Sequence, residues 1–422
     1  MADRSIRCAL WLINQGIQPG DIVGLCSEYQ LDCCIPLFAS LYLGTICSPL
    51  HYIKTRNPKV FFTDQDNADL VVETAKKMSY PMSVIVFGQK DGLLSFADIL
   101  RAHSDEEVDK FRCREVKPQD PAIIINTSGT TSLPKGVLHS FGSFANMLNY
   151  FNNDREPSTV MGFSVISTIN GIRTVIRSAI FKATMILVNN PSGAETLELI
   201  EKYKVTRLWM TIEFLQKMFY NAKLHPRYST TEIGTALSTT IDSKLTSAGR
   251  VMANVEMKIV DPKTNKILGP NEEGEVYIRT PKMMTHYWDN PKATAETIDS
   301  EGWYHTGDLG YYDTDGDLFF IGRYNEFIII HPNRTLSSVI VNVIKEVPGV
   351  DEVAVVSQPH PDYYEVPMAF VTEDDINGAV EKKLPDYMKL RGGVRFLETM
   401  PRTDSAKLNI GILRAISFAL VK

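Results

Sequence analysis

The sequence has no surplus of basic residues. Its 422 residues carry 44 Lys plus Arg against 50 Asp plus Glu, a formal net charge of -6. That balance argues against a dedicated nucleic-acid binder and against a polybasic membrane anchor. Cysteine is sparse: the six lie at Cys8, Cys26, Cys33, Cys34, Cys47 and Cys113, none beyond residue 113 and none in a CxxC pair. This is neither a disulfide framework nor a zinc site, and a reducing compartment is expected. Met1-Ala2-Asp3-Arg4 leads into no signal-peptide hydrophobic region. There is no internal repeat and no low-complexity tract. One run, residues 33–50, passes 18 residues without a charge, which just reaches membrane-span length. It is interrupted by Pro36, Gly44 and Pro49 and holds Ser40, Thr45 and Ser48. It therefore predicts a buried helix followed by a buried strand, with no transmembrane segment.

What is present is ordinary globular material, 44% hydrophobic and 22% charged, in a chain long enough for two or three domains. Apolar clusters of strand length recur at residues 20–25, 59–62, 83–87, 121–126 and 183–188, with helical patterns between them such as residues 194–203. Strands alternating with helices predict an α/β fold with largely parallel sheets. From Val255 the texture changes to short strands joined by turns, at residues 257–260, 274–279 and 318–321. Asp315-Gly316 is a hairpin signal between Tyr311-Tyr312 and Leu318-Phe319-Phe320. The last hundred residues read as a compact α+β unit, with pieces at 353–356 and 368–371 and a boundary near Gly322-Arg323.

The segment richest in chemistry is Thr127-Ser128-Gly129-Thr130-Thr131-Ser132-Leu133-Pro134-Lys135-Gly136-Val137, directly after the apolar strand. Glycine lets backbone N–H groups approach an anion, hydroxyls add donors, and Lys135 adds a point charge suited to phosphate. The spacing is not that of a Walker A loop. Taken alone, a hydroxyl-rich loop is more often a solvated turn. The whole eleven-residue string is much more specific than that.

This string resembles the phosphate-binding signature of the adenylate-forming superfamily, which comprises acyl-CoA synthetases, 4-coumarate–CoA ligases and beetle luciferases. In look it is most similar to insect luciferase-like and 4-coumarate–CoA ligase-like proteins. Further motifs follow in the family's order. Tyr228-Ser229-Thr230-Thr231-Glu232 resembles a motif whose threonine contacts the α-phosphate region and whose glutamate helps hold Mg²⁺. Trp303-Tyr304-His305-Thr306-Gly307-Asp308 resembles the Thr-Gly-Asp motif whose aspartate binds the ribose hydroxyls. Gly322-Arg323 resembles the hinge with its ribose-contacting arginine. Pro401-Arg402-Thr403-Asp404-Ser405-Ala406-Lys407-Leu408-Asn409 resembles the C-terminal lysine motif. Gly274-Glu275-Val276 and Tyr287-Trp288 fit intervening structural motifs and are assigned no chemistry.

The resemblance implies a large N-terminal α/β domain with parallel sheets, residues 1–322, carrying a β-rich subdomain at about 246–322. A hinge at 323–325 and a small α+β lid domain at 326–422 would follow. It implies an AMP-forming acid–thiol ligase. An aromatic or fatty carboxylate and Mg·ATP would give an acyl-adenylate, and CoA would take the acyl group. Catalysis would fall to Lys407, Thr231 and Glu232, with Glu232 on Mg²⁺. ATP would be held by Thr127, Ser128, Gly129, Thr130, Thr131, Lys135, Asp308 and Arg323. The partners are the small carboxylate, ATP and CoA, and no nucleic acid.

The sequence departs from the family pattern at several places. The chain starts late relative to the family, is shorter between His51 and Lys59, and lacks several dozen residues between Pro226 and Tyr228 where the family has a strand and a glycine-rich turn. Losing a central parallel strand would leave unpaired backbone groups and an open core face. Ser132 replaces a loop glycine, the pocket histidine is absent near residues 167–171, and Ala406 replaces the glycine before Lys407. Asn325 stands where a lysine or acid is usual, and His331-Pro332-Asn333 replaces a stretch associated with thiolation. These changes keep two alternatives open: a catalytically impaired homologue, and a luciferase-like monooxygenase. The chain ends Ala419-Leu420-Val421-Lys422, not in a Ser-Lys-Leu-type signal, so a cytoplasmic location is expected over a peroxisomal one.

Overall fold

The computed structural model describes residues 1–28, 30–49, 56–77, 79–127, 135–148, 158–162, 166–188, 191–209, 227–240, 242–244, 246–330, 333–348, 350, 352–372, 383–402 and 408–420. The amphipathic helix α1 (Ala2–Asn14) buries Cys8, Ala9 and Leu12 against α2 (Cys34–Leu43). The charge-free run at 33–50 is thus α2, ended by Gly44 in the left-handed conformation, and then β2 (Ile46–Pro49), with buried residues throughout β2. Gly44 suits that C-cap because it has no Cβ.

The parallel sheet is built around β1 (Ile22–Cys26), which lies between β2 and β3 (Val60–Asp64). Helix α3 (Gln65–Lys77) crosses over to β4 (Ser83–Phe87), and the short β5 (Leu94–Ser95) completes that edge. Helices α4 (Phe96–Arg101) and α5 (Asp105–Lys110) lead back to β6 (Pro121–Asn126), which joins β2 in parallel. Strand β7 (Gly136–Ser140) then turns antiparallel to β6. These strands read as continuous apolar runs because both sheet faces are covered.

After α6 (Phe141–Leu148), a second parallel unit follows: β8 (Thr159–Gly162), α7 (Ile169–Ile180), β9 (Thr184–Leu187), α8 (Gly193–Tyr203) and β10 (Arg207–Trp209), in sheet order β10-β8-β9. A capping box between Ser192 and Glu195 starts α8 where the sequence predicts a helix. The gap expected between Pro226 and Tyr228 borders residues 210–226, which lie outside the described residues. Past it, β11 (Arg227–Thr230), β12 (Gly234–Ser238) and β13 (Arg250–Val251) form an antiparallel sheet of their own.

The β-rich region is an antiparallel sheet in the order β15-β14-β16-β18-β19: β14 (Glu256–Val260), β15 (Ile267–Leu268), β16 (Gly274–Arg279), β18 (Tyr304–Tyr312) and β19 (Leu318–Arg323). Between them the two-residue β17 (His286–Tyr287) adds to β7, extending the first sheet to eight strands, and α9 (Pro291–Thr297) follows it. Asp315-Gly316 does turn β18 into β19, with Gly316 at φ +83° and Tyr311 opposite Phe319.

The last unit has β20 (Phe327–Ile330), β21 (Asn333–Leu336), α10 (Ser337–Lys345), β22 (Val353–His360), β23 (Tyr364–Val371), β24 (Val394–Phe396) and α11 (Ile410–Ala419). Alternation along β22 decides its two faces. Val353 and Val355 pack with Ile340 and Ile344 of α10, whereas Ala354 and Val356 pack with Leu413 of α11. The observed architecture is the predicted one: parallel α/β material, a β-rich region and a small α+β unit. Among the described residues, no helix is long and apolar enough to cross a membrane.

Candidate functional site

The hydroxyl-rich loop leaves β6 and returns into β7. Of its predicted site residues, Ser128, Gly129, Thr130 and Thr131 lie outside the described residues, as does Ser132. Thr127 and Lys135 close its base: the Thr127 N–H donates to the Lys135 carbonyl at 2.9 Å, and the Lys135 N–H donates to Thr127 Oγ1 at 3.0 Å. Beneath this base lies a residue that sequence reasoning missed. Arg56 is buried, donates to Asn126 Oδ1 at 2.5 Å and to Ser48 Oγ at 3.3 Å, and burial lowers it to about 10. Gly136 is needed there: a Cβ would lie 2.0 Å from Arg56 Nη2.

Thr231 and Glu232 form the turn between β11 and β12, and three elements fix it. His139 of β7 places Nε2 at 2.8 Å from the Thr231 carbonyl. The Met284 N–H donates to the Glu232 carbonyl at 2.6 Å. The Tyr287 hydroxyl donates to Glu232 Oε1 at 2.7 Å. Glu232 itself is buried. Burial, reinforced by the Glu232 charge, pushes the Tyr287 hydroxyl well above the usual phenol range, so it stays a donor. Lys135 Nζ sits 4.8 Å from the centroid of the Tyr287 ring, within cation–π range. Tyr287 therefore links the loop lysine to the motif carboxylate, a role the sequence did not give it. Its place is set by pairing with Val137 in the sheet and by the Trp288 N–H donating to the Gly136 carbonyl at 2.6 Å.

Asp308 lies on β18 opposite Arg323 on β19. Arg323 Nε is 3.0 Å from Asp308 Oδ1, and the Tyr228 hydroxyl donates to Asp308 Oδ2 at 2.6 Å. Gly307 precedes it at φ +70°, its N–H donating to Glu275 Oε1 at 3.0 Å, and the pairing register shifts on both sides of this stretch. Such irregularities re-aim a side chain off an otherwise regular strand. Burial raises Asp308 above the usual carboxylate range, opposed by Tyr228 and Arg323, while the Glu232 charge adds to the rise. The two carboxylates therefore share one field. For Arg323, burial opposes the charge, but Asp308 and the neighbouring tyrosines outweigh it and the guanidinium is held more firmly protonated.

His139 is fully buried, and desolvation lowers it to about 4 against the opposing bond to Thr231. It is neutral at physiological pH, with Nε2 bearing the proton toward the carbonyl. Its signal in the sequence was faint: a histidine sharing a strand face with Val137, four residues past Lys135.

The structure thus brings Lys135, Glu232, Asp308 and Arg323 into one electrostatic group and holds Thr231 at its edge. Lys407 and Ala406 lie outside the described residues, as do His331 and Pro332. Chemically, the group offers buried carboxylates for a hard cation and for vicinal hydroxyls, and a lysine beside a loop suited to phosphate.

The sequence profile of AMP-binding enzymes matches residues 1–226 and 210–288, and that of the AMP-binding enzyme C-terminal domain matches residues 340–407. The two pieces of the first match overlap at residues 210–226, next to the gap expected between Pro226 and Tyr228. Luciferin 4-monooxygenase of Luciola mingrelica is 27% identical over 490 residues, covering 98% of this chain and 88% of that protein. The aligned span exceeds the length of this chain, so the relative carries internal residues that this chain skips. 4-coumarate–CoA ligase 2 of Nicotiana tabacum is 27% identical, covering 97% and 87%. Among solved structures, ATP-bound MatB from Rhodopseudomonas palustris has the same fold, with a TM-score of 0.84 at 22% identity, covering 100% of this chain and 93% of that one.

Proposed function

This chain belongs to the AMP-binding enzyme family, and from that premise we propose that it is an acid–thiol ligase, activating an aromatic or fatty carboxylate with Mg·ATP and passing the acyl group to CoA. The observation that carries the reading is the link Lys135–Tyr287–Glu232 set beside the pair Asp308–Arg323.

In this reading the loop at 127–135 and Lys135 take the phosphates. The carboxylate oxygens of Asp308 have acceptor capacity beyond Tyr228 and Arg323 and take the ribose hydroxyls. Tyr287 occupies one oxygen of Glu232 with a single bond, so the carboxylate retains capacity for a hard cation, and the residues fit Mg²⁺. When bound with ATP, Mg²⁺ supplies neutralisation of phosphate charge. Glu232 and Thr231 are presented by a turn that His139, Met284 and Tyr287 hold in place, so little reorganisation is needed at the moment of reaction. The acid's carboxylate oxygen attacks the α-phosphorus, and the bond to pyrophosphate breaks. Lys407 is assigned to that transition state, where negative charge crowds the centre. The CoA thiol, losing its proton to solvent, then attacks the acyl carbon and AMP leaves. The division at 322/323–325, a lid at 326–422 and a cytoplasmic location belong to the same reading.

The division of the family match into two pieces, 1–226 and 210–288, supports a second reading, an impaired homologue that keeps the fold. The luciferin 4-monooxygenase relative supports a third, oxygenation of the adenylate. ATP–pyrophosphate exchange with cinnamic and fatty acids, with Lys407→Ala alongside, separates them. Acid-dependent exchange that collapses in the variant upholds adenylation. A CoA-thioester product then favours the ligase, and light from luciferin the oxygenase. A folded chain with no exchange upholds the impaired homologue.

A further inference from the structure

Arg56 comes from the segment between β2 and β3 and is buried. Its guanidinium reaches the carboxyl ends of two neighbouring parallel strands. Nη1 donates to Ser48 Oγ at 3.3 Å, near the end of β2, and Nη2 donates to Asn126 Oδ1 at 2.5 Å, on the last residue of β6. The same group covers Gly136, the first residue of β7. A Cβ there would stand 2.0 Å from Nη2, 2.4 Å from Cζ and 2.9 Å from Nη1. Asn126 leads into the hydroxyl-rich loop and Gly136 leads out of it, and between them Thr127 and Lys135 are bonded to each other. The guanidinium therefore lies at the mouth of the loop, against both of its ends.

Nothing neutralises the charge at that place. Ser48 and Asn126 are uncharged acceptors, and burial alone acts on the group, lowering it to about 10. The adjoining stretches 50–55 and 127–135 contain no Asp or Glu. Taking a cation out of water is costly unless an anion compensates it, and two strands can be tied by a neutral side chain at less cost. The position suggests the anion. In an open parallel sheet, ligands lie outside the carboxyl ends of the strands, and Ser48 and Asn126 set Arg56 at that edge. The loop that opens there carries the hydroxyls, the glycine and the lysine suited to phosphate. A charge held away from water acts on an anion in such a loop with little screening by salt. It is fixed before the anion arrives, so no reorganisation is needed.

We propose that Arg56 is a positioning residue of the nucleotide site, tying the two ends of the loop together and setting a buried positive charge behind it, so that it favours the polyphosphate of ATP over the single phosphate of AMP. It acts through Asn126 and the loop and not by contact with the nucleotide. This inference rests on the loop taking the phosphates and deepens that reading.

The test compares ATP with AMP. Calorimetric affinities for both are measured in the full chain as wild type, Arg56→Gln, Arg56→Met and Arg56→Lys, with thermal melts and with ATP–pyrophosphate exchange on the panel of acids. Arg56→Gln keeps a donor for Asn126 and loses the charge. Arg56→Met fills the same space with no charge to bury, and gives the comparison in a second charge-free chain. Arg56→Lys keeps the charge and loses the planar fork. The charge-free variants are expected to weaken ATP about tenfold or more and AMP much less, and to raise KM for ATP more than they lower kcat. Arg56→Lys is expected to keep most of the ATP-to-AMP ratio even where it melts lower. A role confined to joining strands moves both nucleotides alike and follows the melting point. A ratio unchanged in the charge-free variants, or one that falls as far in Arg56→Lys, overturns the proposal, and acid-dependent exchange in the wild type then leaves the ligase reading standing. A ratio that falls without the charge and returns with lysine, while no acid supports exchange, upholds Arg56 and sinks the ligase reading. A folded wild type that binds neither nucleotide overturns both.

Discussion

The hydroxyl of Tyr287 donates to Glu232 Oε1 at 2.7 Å, and the same ring carries the Lys135 ammonium at 4.8 Å from its centroid. One side chain on a two-residue strand therefore joins the hydroxyl-rich loop to the carboxylate of a motif nearly a hundred residues later. Tyr287→Phe keeps the ring and removes the donor from a buried carboxylate. It is expected to cost about 1–3 kcal/mol of stability and to weaken activation by Mg²⁺, while the face under Lys135 is kept. Thermal melts with and without Mg·ATP, and a Mg²⁺ titration of exchange activity, check this; an unchanged Mg²⁺ dependence would remove Tyr287 from the site.

His139 makes stability depend on pH. Its folded value, about 4, lies below the ordinary histidine value of 6.5, so on acidification the unfolded chain takes up the proton first. Stability is full above pH 6.5 and falls as pH drops toward 4, by up to roughly 3 kcal/mol for the whole window. His139→Gln, which keeps an N–H for the Thr231 carbonyl, should flatten that slope and retain most exchange activity. His139→Leu should flatten it and lose activity as well. Denaturant midpoints between pH 4 and 7 decide the first part. Equal activity in the two variants would show that the Thr231 bond does not matter.

Asp308 is held above the usual carboxylate range by burial. A raised carboxylate is most at ease protonated, and its contribution to stability declines as pH rises through the folded value. Asp308→Asn should therefore melt no lower than the wild type at neutral pH, yet bind ATP about tenfold or more weakly, if Asp308 accepts from the ribose hydroxyls as proposed. Arg323→Gln should push Asp308 higher still. A nucleotide titration beside a melt separates the two effects, and a melting point that falls together with ATP affinity would mean that Asp308 is structural.

Gly136→Ala drives a methyl group into the Arg56 guanidinium, 2.0 Å from its ideal position. Arg56 is buried and bonded to Asn126 and Ser48, so it cannot swing aside without stranding a buried charge. A loss of about 1–3 kcal/mol is expected. In a double-mutant cycle, Arg56→Ala should cancel most of the added cost, because the obstacle is gone. Chemical denaturation of the four chains tests it, and simple additivity would disprove the clash.

Much of the molecule was legible in one dimension. Residues 83–87 and 121–126 are strands at the predicted bounds, and the helix expected at 194–203 begins at Gly193 behind its capping box. These segments are fixed by local physics: unbroken apolar runs covered on both faces, and caps read from neighbouring residues. The sequence also named Lys135, Thr231, Glu232, Asp308 and Arg323 as candidates, from short strings carried in order, the last two on β18 and β19.

What the sequence could not contain was the meeting of these strings. His139 is an ordinary strand residue until β11 and β12 bring the Thr231 carbonyl to it. Tyr287 has no chemistry until β17 pairs with β7 and sets its hydroxyl on Glu232. Arg56 is one basic residue ahead of a strand until Asn126, 70 residues on, meets it at the mouth of the loop. The sequence by itself determined the elements, the family and the list of reactive groups, since propensity, capping and motif chemistry act over a few residues. Only the tertiary structure decided which groups share a buried field, because burial and Coulomb interaction depend on distances through space that no spacing along the chain specifies.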